Sequence, residues 1–124
     1  MLSLSIRPES LAVCRLDADS DLPDWATAGS FFSVSRTDEE ISVVCMESNV
    51  PSGVRAERGL RALKVEGPLD FSLTGILAGI AAPLADAGVS LFAISTFDTD
   101  HVLVREFVIE EAVRALTDSG HTVK

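Results

Sequence analysis

The sequence is poor in cysteine, in cations and in long apolar runs, and each shortage narrows what the chain can be. Its two cysteines, Cys14 and Cys45, sit in separate apolar runs and not in a Cys-x-x-Cys pair. Neither a zinc site nor a disulfide framework is indicated, and both read as buried thiols. Ten Lys and Arg stand against nineteen Asp and Glu, a net charge of −9. That balance argues against nucleic acid or an anionic membrane as partner, because phosphates are gripped through clustered cations. No stretch approaches the roughly 20 apolar residues needed to cross a bilayer. The opening MLSLSIRPES lacks the cationic start and apolar centre of a secretory leader. The expected location is cytoplasmic.

What is present is ordinary globular composition: 124 residues, 47% hydrophobic and 23% charged. This suits one compact domain or two very small ones. The second half is the more legible. Arg61 to Glu66 reads as a short strand broken at Gly67-Pro68. Asp70 or Ser72 can then cap a helix, because a short side-chain oxygen accepts from the free N–H groups of a first turn. Leu73, Ile76, Leu77, Ile80, Ala81 and Leu84 recur at spacings of three and four, one helical stripe ended by Gly88. Pro83 within it removes a backbone hydrogen bond at the Gly79 carbonyl and predicts a kink.

Val89 to Phe97 and His101 to Glu106 form a predicted hairpin around Asp98-Thr99-Asp100. Ile109, Val113 and Leu116 mark a second helix stopped by Gly120, and His121 to Lys124 can supply a last strand. The fold class is α+β, with a ferredoxin-like βαββαβ unit.

The first half repeats part of the second. An offset of 60 lays Ser30 to Val44 over Ser90 to Val104, with five of fifteen pairs identical, among them Ser35 on Ser95 and Asp38 on Asp98. The first copy has room for about a turn of helix near Asp21 to Ala26, so it is strand-rich and helix-poor. Residues 1–59 and 60–124 are the expected units, packed as one body. Leu2 to Ile6 is an extra strand without an evident partner. Phe31, Phe32 and Phe92 are expected in the core, and Trp25 as a plug over the helix-poor end.

The stretch from Asp70 to Leu77, the helix ending Ala87-Gly88-Val89-Ser90, and the hairpin from Ile94 to Asp100 resemble the ACT domain family. The resemblance is strongest to the ACT repeats of aspartate kinases and of the CASTOR arginine sensors. It implies a regulatory module that binds an amino acid or similar small molecule at an interface between two ACT units. The implied ligand-binding positions are Asp70 and Phe71 in the loop, Val89 and Ser90 at the head of the second strand, Ser95 and Thr96 at its end, and Asp98 in the turn. Aspartate kinase units often carry Asn where Ser90 stands, so their ligand preference does not transfer. No kinase domain accompanies the module, so a homodimer and a regulated enzyme on another chain are the implied partners.

The same residues have plainer readings. Asp70 can be only a helix cap, Asp98 and Asp100 only turn residues, and Ser95 and Thr96 only strand residues. A structural homodimerisation module with a vestigial pocket is one alternative function. A small enzyme using Asp98, Asp100 and His101 is another, since a His beside a carboxylate is the minimum for general-base work. Neighbouring strand residues point to opposite faces, however, and no nucleophile motif accompanies them. His101 is expected at the surface. No catalytic residue, metal site or cofactor is assigned.

Overall fold

The computed structural model describes residues 1–70 and 72–124, and Phe71 lies outside them. Two compact units are present, Glu9–Leu60 and Met1–Pro8 together with Arg61–Lys124. The division expected between residues 59 and 60 falls one residue later, and residues 1–8, expected with the first unit, belong with the second.

The unit Glu9–Leu60 is a sheet of antiparallel strands. β2 (Leu11–Leu16), β3 (Phe32–Arg36), β4 (Ile41–Met46) and the start of β5 (Ala56–Val65) lie in the order β3-β4-β2-β5. Its helical content is two short 3₁₀ turns, Asp24–Thr27 and Glu47–Asn49, as the broken sequence there predicts. The core is built from small groups: Ala12, Cys14, Ala26, Ile41, Val43, Cys45 and Val50. Trp25 packs against it, in the place expected of a plug. Both thiols are buried and unbridged, and burial pushes Cys45 up to about 11.

β5 is longer than the short strand read from sequence, and it passes from one unit into the other. Its pairing with β2 slips between Leu11↔Leu60 and Val13↔Glu57, a bulge at Arg58-Gly59. Gly59 holds φ +72, a left-handed conformation that costs an L side chain more than glycine. Its amide donates to the Glu47 carboxylate at 2.8 Å.

The remaining unit contains β1 (Ser3–Ile6), the rest of β5, α1 (Ile76–Asp86), β6 (Phe92–Ser95), β7 (Asp100–Arg105), α2 (Ile109–Asp118) and β8 (Thr122–Val123). Its strands run β6-β7-β5-β1-β8. The extra strand therefore has two partners, antiparallel to β5 through Leu4↔Val65 and parallel to β8 through Leu4↔Val123. One sheet face carries Leu4, Leu63, Val65, Val102 and Val104, and the helices add Ile80, Leu84, Ala112 and Leu116 to the same cluster.

Helix ends explain several residues singled out in the sequence. At the end of α1 the Gly88 amide donates to Ala85 O at 3.0 Å and the Val89 amide to Leu84 O at 2.9 Å, with Gly88 at φ +75. This Schellman pattern turns Val89 into the core. α2 ends the same way through Gly120 and His121. α1 continues through Pro83 to Asp86. The Gly79 carbonyl, which no Pro83 N–H can reach, lies 2.9 Å from His121 Nε2, while His121 Nδ1 accepts the Leu2 amide at 3.1 Å. The proline's missing donor is thus replaced by an imidazole from beyond α2.

Two expectations are corrected here. Phe32 and Phe92 are 47% and 40% exposed, because β3 and β6 are edge strands. His101, expected at the surface, is buried at 9% exposure. It pairs across to Ile94 on β6 and faces away from the Val102 and Val104 side. Burial first, then the nearby charges of Arg7 and Lys64, hold its pKa below the ordinary histidine value.

Candidate functional site

A cleft of about 200 Å³ opens where the β5–α1 connection meets the β6–β7 turn. Leu69, Asp70 and Leu73 line one side, and the continuous run Ser95–Asp100 lines the other. The sequence explains the first wall. Asp70 Oδ1 accepts the Ser72 amide at 2.9 Å and the Ser72 hydroxyl at 2.8 Å, and the Leu73 amide donates to Asp70 O at 3.0 Å. This local turn consumes the side chain expected to cap the helix. The helix accordingly starts later, at Ile76, after Gly75 in the left-handed region with no side-chain cap. Leu73, counted on the helical stripe, is left in the loop at 52% exposure. The amide first, then the hydroxyl of Ser72, hold the Asp70 carboxyl below the usual carboxylate range.

The second wall is a tight turn. The Thr96 amide donates to Thr99 O at 2.8 Å, and the Thr96 hydroxyl donates to the same carbonyl at 3.0 Å and accepts the Thr99 amide at 3.3 Å. The Ser95 hydroxyl donates to Asp100 Oδ1. The two walls are joined directly: the Leu69 amide donates to Asp98 O at 2.7 Å, and the Thr99 hydroxyl donates to Val65 O.

The turn of the other unit makes a useful control. There the Thr37 amide donates to Glu40 O at 2.9 Å, and the Thr37 hydroxyl accepts from the Glu39 and Glu40 amides at 3.1 and 3.2 Å. Arg36 pairs with Ile41 as Ser95 pairs with Asp100. The structural offset between the turns is therefore 59, and the 60-residue alignment is displaced by one. Thr37, not Arg36, stands in the place of Thr96. The threonine hydroxyl serves the turn in the same way in both copies. Ser95, Thr99 and Asp100 have Arg36, Glu40 and Ile41 in their places.

Of the positions implied by resemblance, Asp70, Ser95, Thr96 and Asp98 meet around this one cleft. Val89 and Ser90 do not line it: Val89 is core and Ser90 is exposed on the approach to β6. Phe71 lies outside the described residues. Leu69, Leu73, Phe97 and Thr99 also line the cleft and are not among the implied ligand positions, although Phe97, 82% exposed at the rim, follows directly on Ser95-Thr96.

The lining holds three carboxylates, three hydroxyls, exposed apolar groups and no Lys, Arg or His. Such a surface offers acceptors to an ammonium or guanidinium group and an apolar rim to its hydrocarbon part. The catalytic alternative is not assembled. Asp100 receives Ser95, and His101 is absent from the lining. Among the described residues, no three His, Cys, Asp or Glu side chains are grouped to hold a metal ion. No helix among those residues is long and apolar enough to cross a membrane.

A family model described as the ACT domain matches residues 55–118, and a model for an N-terminal domain matches residues 9–53. The human cytosolic arginine sensor for mTORC1 subunit 1 is 36% identical over 108 residues, which cover 81% of this chain and 32% of that protein. The chain thus spans about a third of that relative's length. A crystal structure of an Agrobacterium tumefaciens protein is 38% identical and matches 99% of this chain and 92% of its own, with a TM-score of 0.93. The regulatory subunit of aspartate kinase from Thermus flavus, at 12% identity, matches 94% of this chain and 95% of its own with a TM-score of 0.63, a likeness of fold alone. The chain belongs to the ACT domain family.

Proposed function

We propose that this chain is a regulatory module without chemistry of its own, which binds an amino acid or similar small molecule in the cleft between Asp70 and the Ser95–Asp100 turn. The observation that carries the reading is the lining: carboxylates and hydroxyls without a cation, beside exposed Leu73 and Phe97. The ammonium or a cationic side chain of the ligand lies against the carboxylates, and its hydrocarbon portion against the apolar rim. The relatives named as cytosolic arginine sensors make arginine the first ligand to try, and the cytosol the compartment in which to expect the protein.

The open side of the cleft is closed by an ACT unit of a second copy, giving a homodimer with ligand at its interface. Ligand then favours one packing over another and alters contact with a regulated enzyme on another chain, a shift of population between existing arrangements.

Isothermal titration with the twenty amino acids tests the reading. At least one is expected to bind, and Asp70→Ala and Ser95→Ala to weaken it about tenfold, the loss of one charge-assisted hydrogen bond of about 1.5 kcal/mol, with the circular dichroism unchanged. Silence across the panel at millimolar concentration would overturn it. A second reading, a dimerisation module with a vestigial pocket, is favoured by the exposed Phe92 on edge strand β6. It predicts a dimer whose stability ignores every amino acid.

A further inference from the structure

The two walls of the cleft come from different stretches of chain, so something must fix their spacing. Three observations locate that device. The Leu69 amide donates to Asp98 O at 2.7 Å. The Thr99 hydroxyl donates to Val65 O, and Thr99 is 6% exposed. Gly67 sits so close that a Cβ there would lie 2.9 Å from Leu69 N and 3.1 Å from Asp98 O. A side chain would have to push apart the two groups that bond each other.

Open space adjoins this clasp as well. A second cleft of about 270 Å³ is lined by Lys64, Gly67 and Pro68 and by the same Asp98 and Thr99. The clasp is a partition between two openings. The control turn shows that the clasp is not part of turn formation. At the structural offset of 59 Glu40 occupies the place of Thr99, and it is exposed. The turn closes all the same, through Thr37.

We propose that Thr99 is a positioning residue for the ligand cleft: through Val65 it anchors the Ser95–Asp100 turn to β5, so that Asp98 O stays within reach of the Leu69 amide and Asp70 faces Ser95 and Asp100 across a fixed gap. The hydroxyl acts on affinity by holding the carboxylates in register. This rests on the reading of the cleft as a ligand site, and the test separates the two.

Thr99→Val keeps the branched shape and removes the donor. Thr99→Ser keeps the donor. Binding is read by titration with L-arginine, and the clasp by hydrogen exchange of the Leu69 amide, which needs no ligand. The expected result is a Leu69 amide protected in the parent and in Thr99→Ser, and exchanging at least tenfold faster in Thr99→Val. Arginine affinity is expected to fall at least tenfold in Thr99→Val and to stay within about twofold in Thr99→Ser. If the parent ignores arginine, arginine binding fails as a reading, and the clasp is decided by exchange alone. A Leu69 amide unprotected in the parent, or equally protected in Thr99→Val, overturns the proposal, as does unchanged affinity in Thr99→Val. Should Thr99→Val not fold, Thr99→Ala, which also removes the donor, replaces it, with the same acceleration at Leu69 expected and its absence equally decisive.

Discussion

The hairpin turns at Thr37 and at Thr96 close in the same way and are used differently. Thr37 and Thr96 each draw a carbonyl and an amide into the turn with one side chain. Around Thr37 the neighbours are Arg36, whose guanidinium donates to the Ala18 and Ser20 carbonyls, and the exposed Glu40. Around Thr96 they are Ser95 and Thr99, of which one reaches Asp100 and the other reaches back to β5. A hydroxyl common to both copies is explained by folding. Hydroxyls confined to one copy are where a function specific to that copy must be sought.

The units differ likewise in what backs their sheets. Ile80 and Ile41 are both fully buried, the first on α1 in a cluster with Leu4, Leu63 and Leu116, the second on β4 among Ala12, Ala26 and Cys45. Truncating either to Ala is expected to cost about 2–5 kcal/mol, the larger cost falling in the core whose neighbours collapse less into the void. Urea unfolding of both variants measures this, and equal costs would erase the distinction between the cores.

The turn comparison is sharpened by a smaller effect. Thr37→Val and Thr96→Val are each expected to lose about 1 kcal/mol, since each removes the same local bonds. Were Thr96→Val to leave stability intact and abolish ligand binding, Thr96 would belong to the site and not to the turn.

Smallest is a difference in pH response. At the structural offset His101 on β7 corresponds to Ser42 on β4. Its pKa is held below the ordinary value of 6.5 by burial and by Arg7 and Lys64. The unfolded chain therefore takes up a proton before the folded one does. Stability attributable to this group is complete above about 6.5 and declines as pH falls through that value toward the folded pKa. His101→Gln should flatten the decline, as followed by thermal melts between pH 7 and 5, while Ser42→Ala should leave it unchanged.

Much of this was legible in the residues. The stripe from Ile76 to Leu84, the glycine stops at Gly88 and Gly120, the hairpin and the repeat itself all follow from periodicity and turn chemistry. What escaped did so for identifiable reasons. An offset of 60 matches more letters than 59, yet pairing partners, not letters, set the register of a turn, and one residue decides which side chain stands where. Asp70 offers a cap by type, but a bond two residues on uses it first. Leu73 carries helical spacing into a loop because spacing does not say where a helix begins. The clasp joins residues more than thirty positions apart, Val65 to Thr99, and no local pattern announces such a contact. The role of His121 is equally remote, fixed by a proline on another helix.

On the proposed reading the cleft beside Asp70 and Ser95–Asp100, and not the matching turn of the other unit, receives the ligand. Titrating the ¹⁵N-labelled protein with L-arginine tests it most directly. Saturable shifts are expected at the amides of residues 69, 70, 72, 73 and 95–100, with residues 36–41 unmoved. Shifts centred on the Thr37–Glu40 turn, or none at any residue of the cleft, would contradict it.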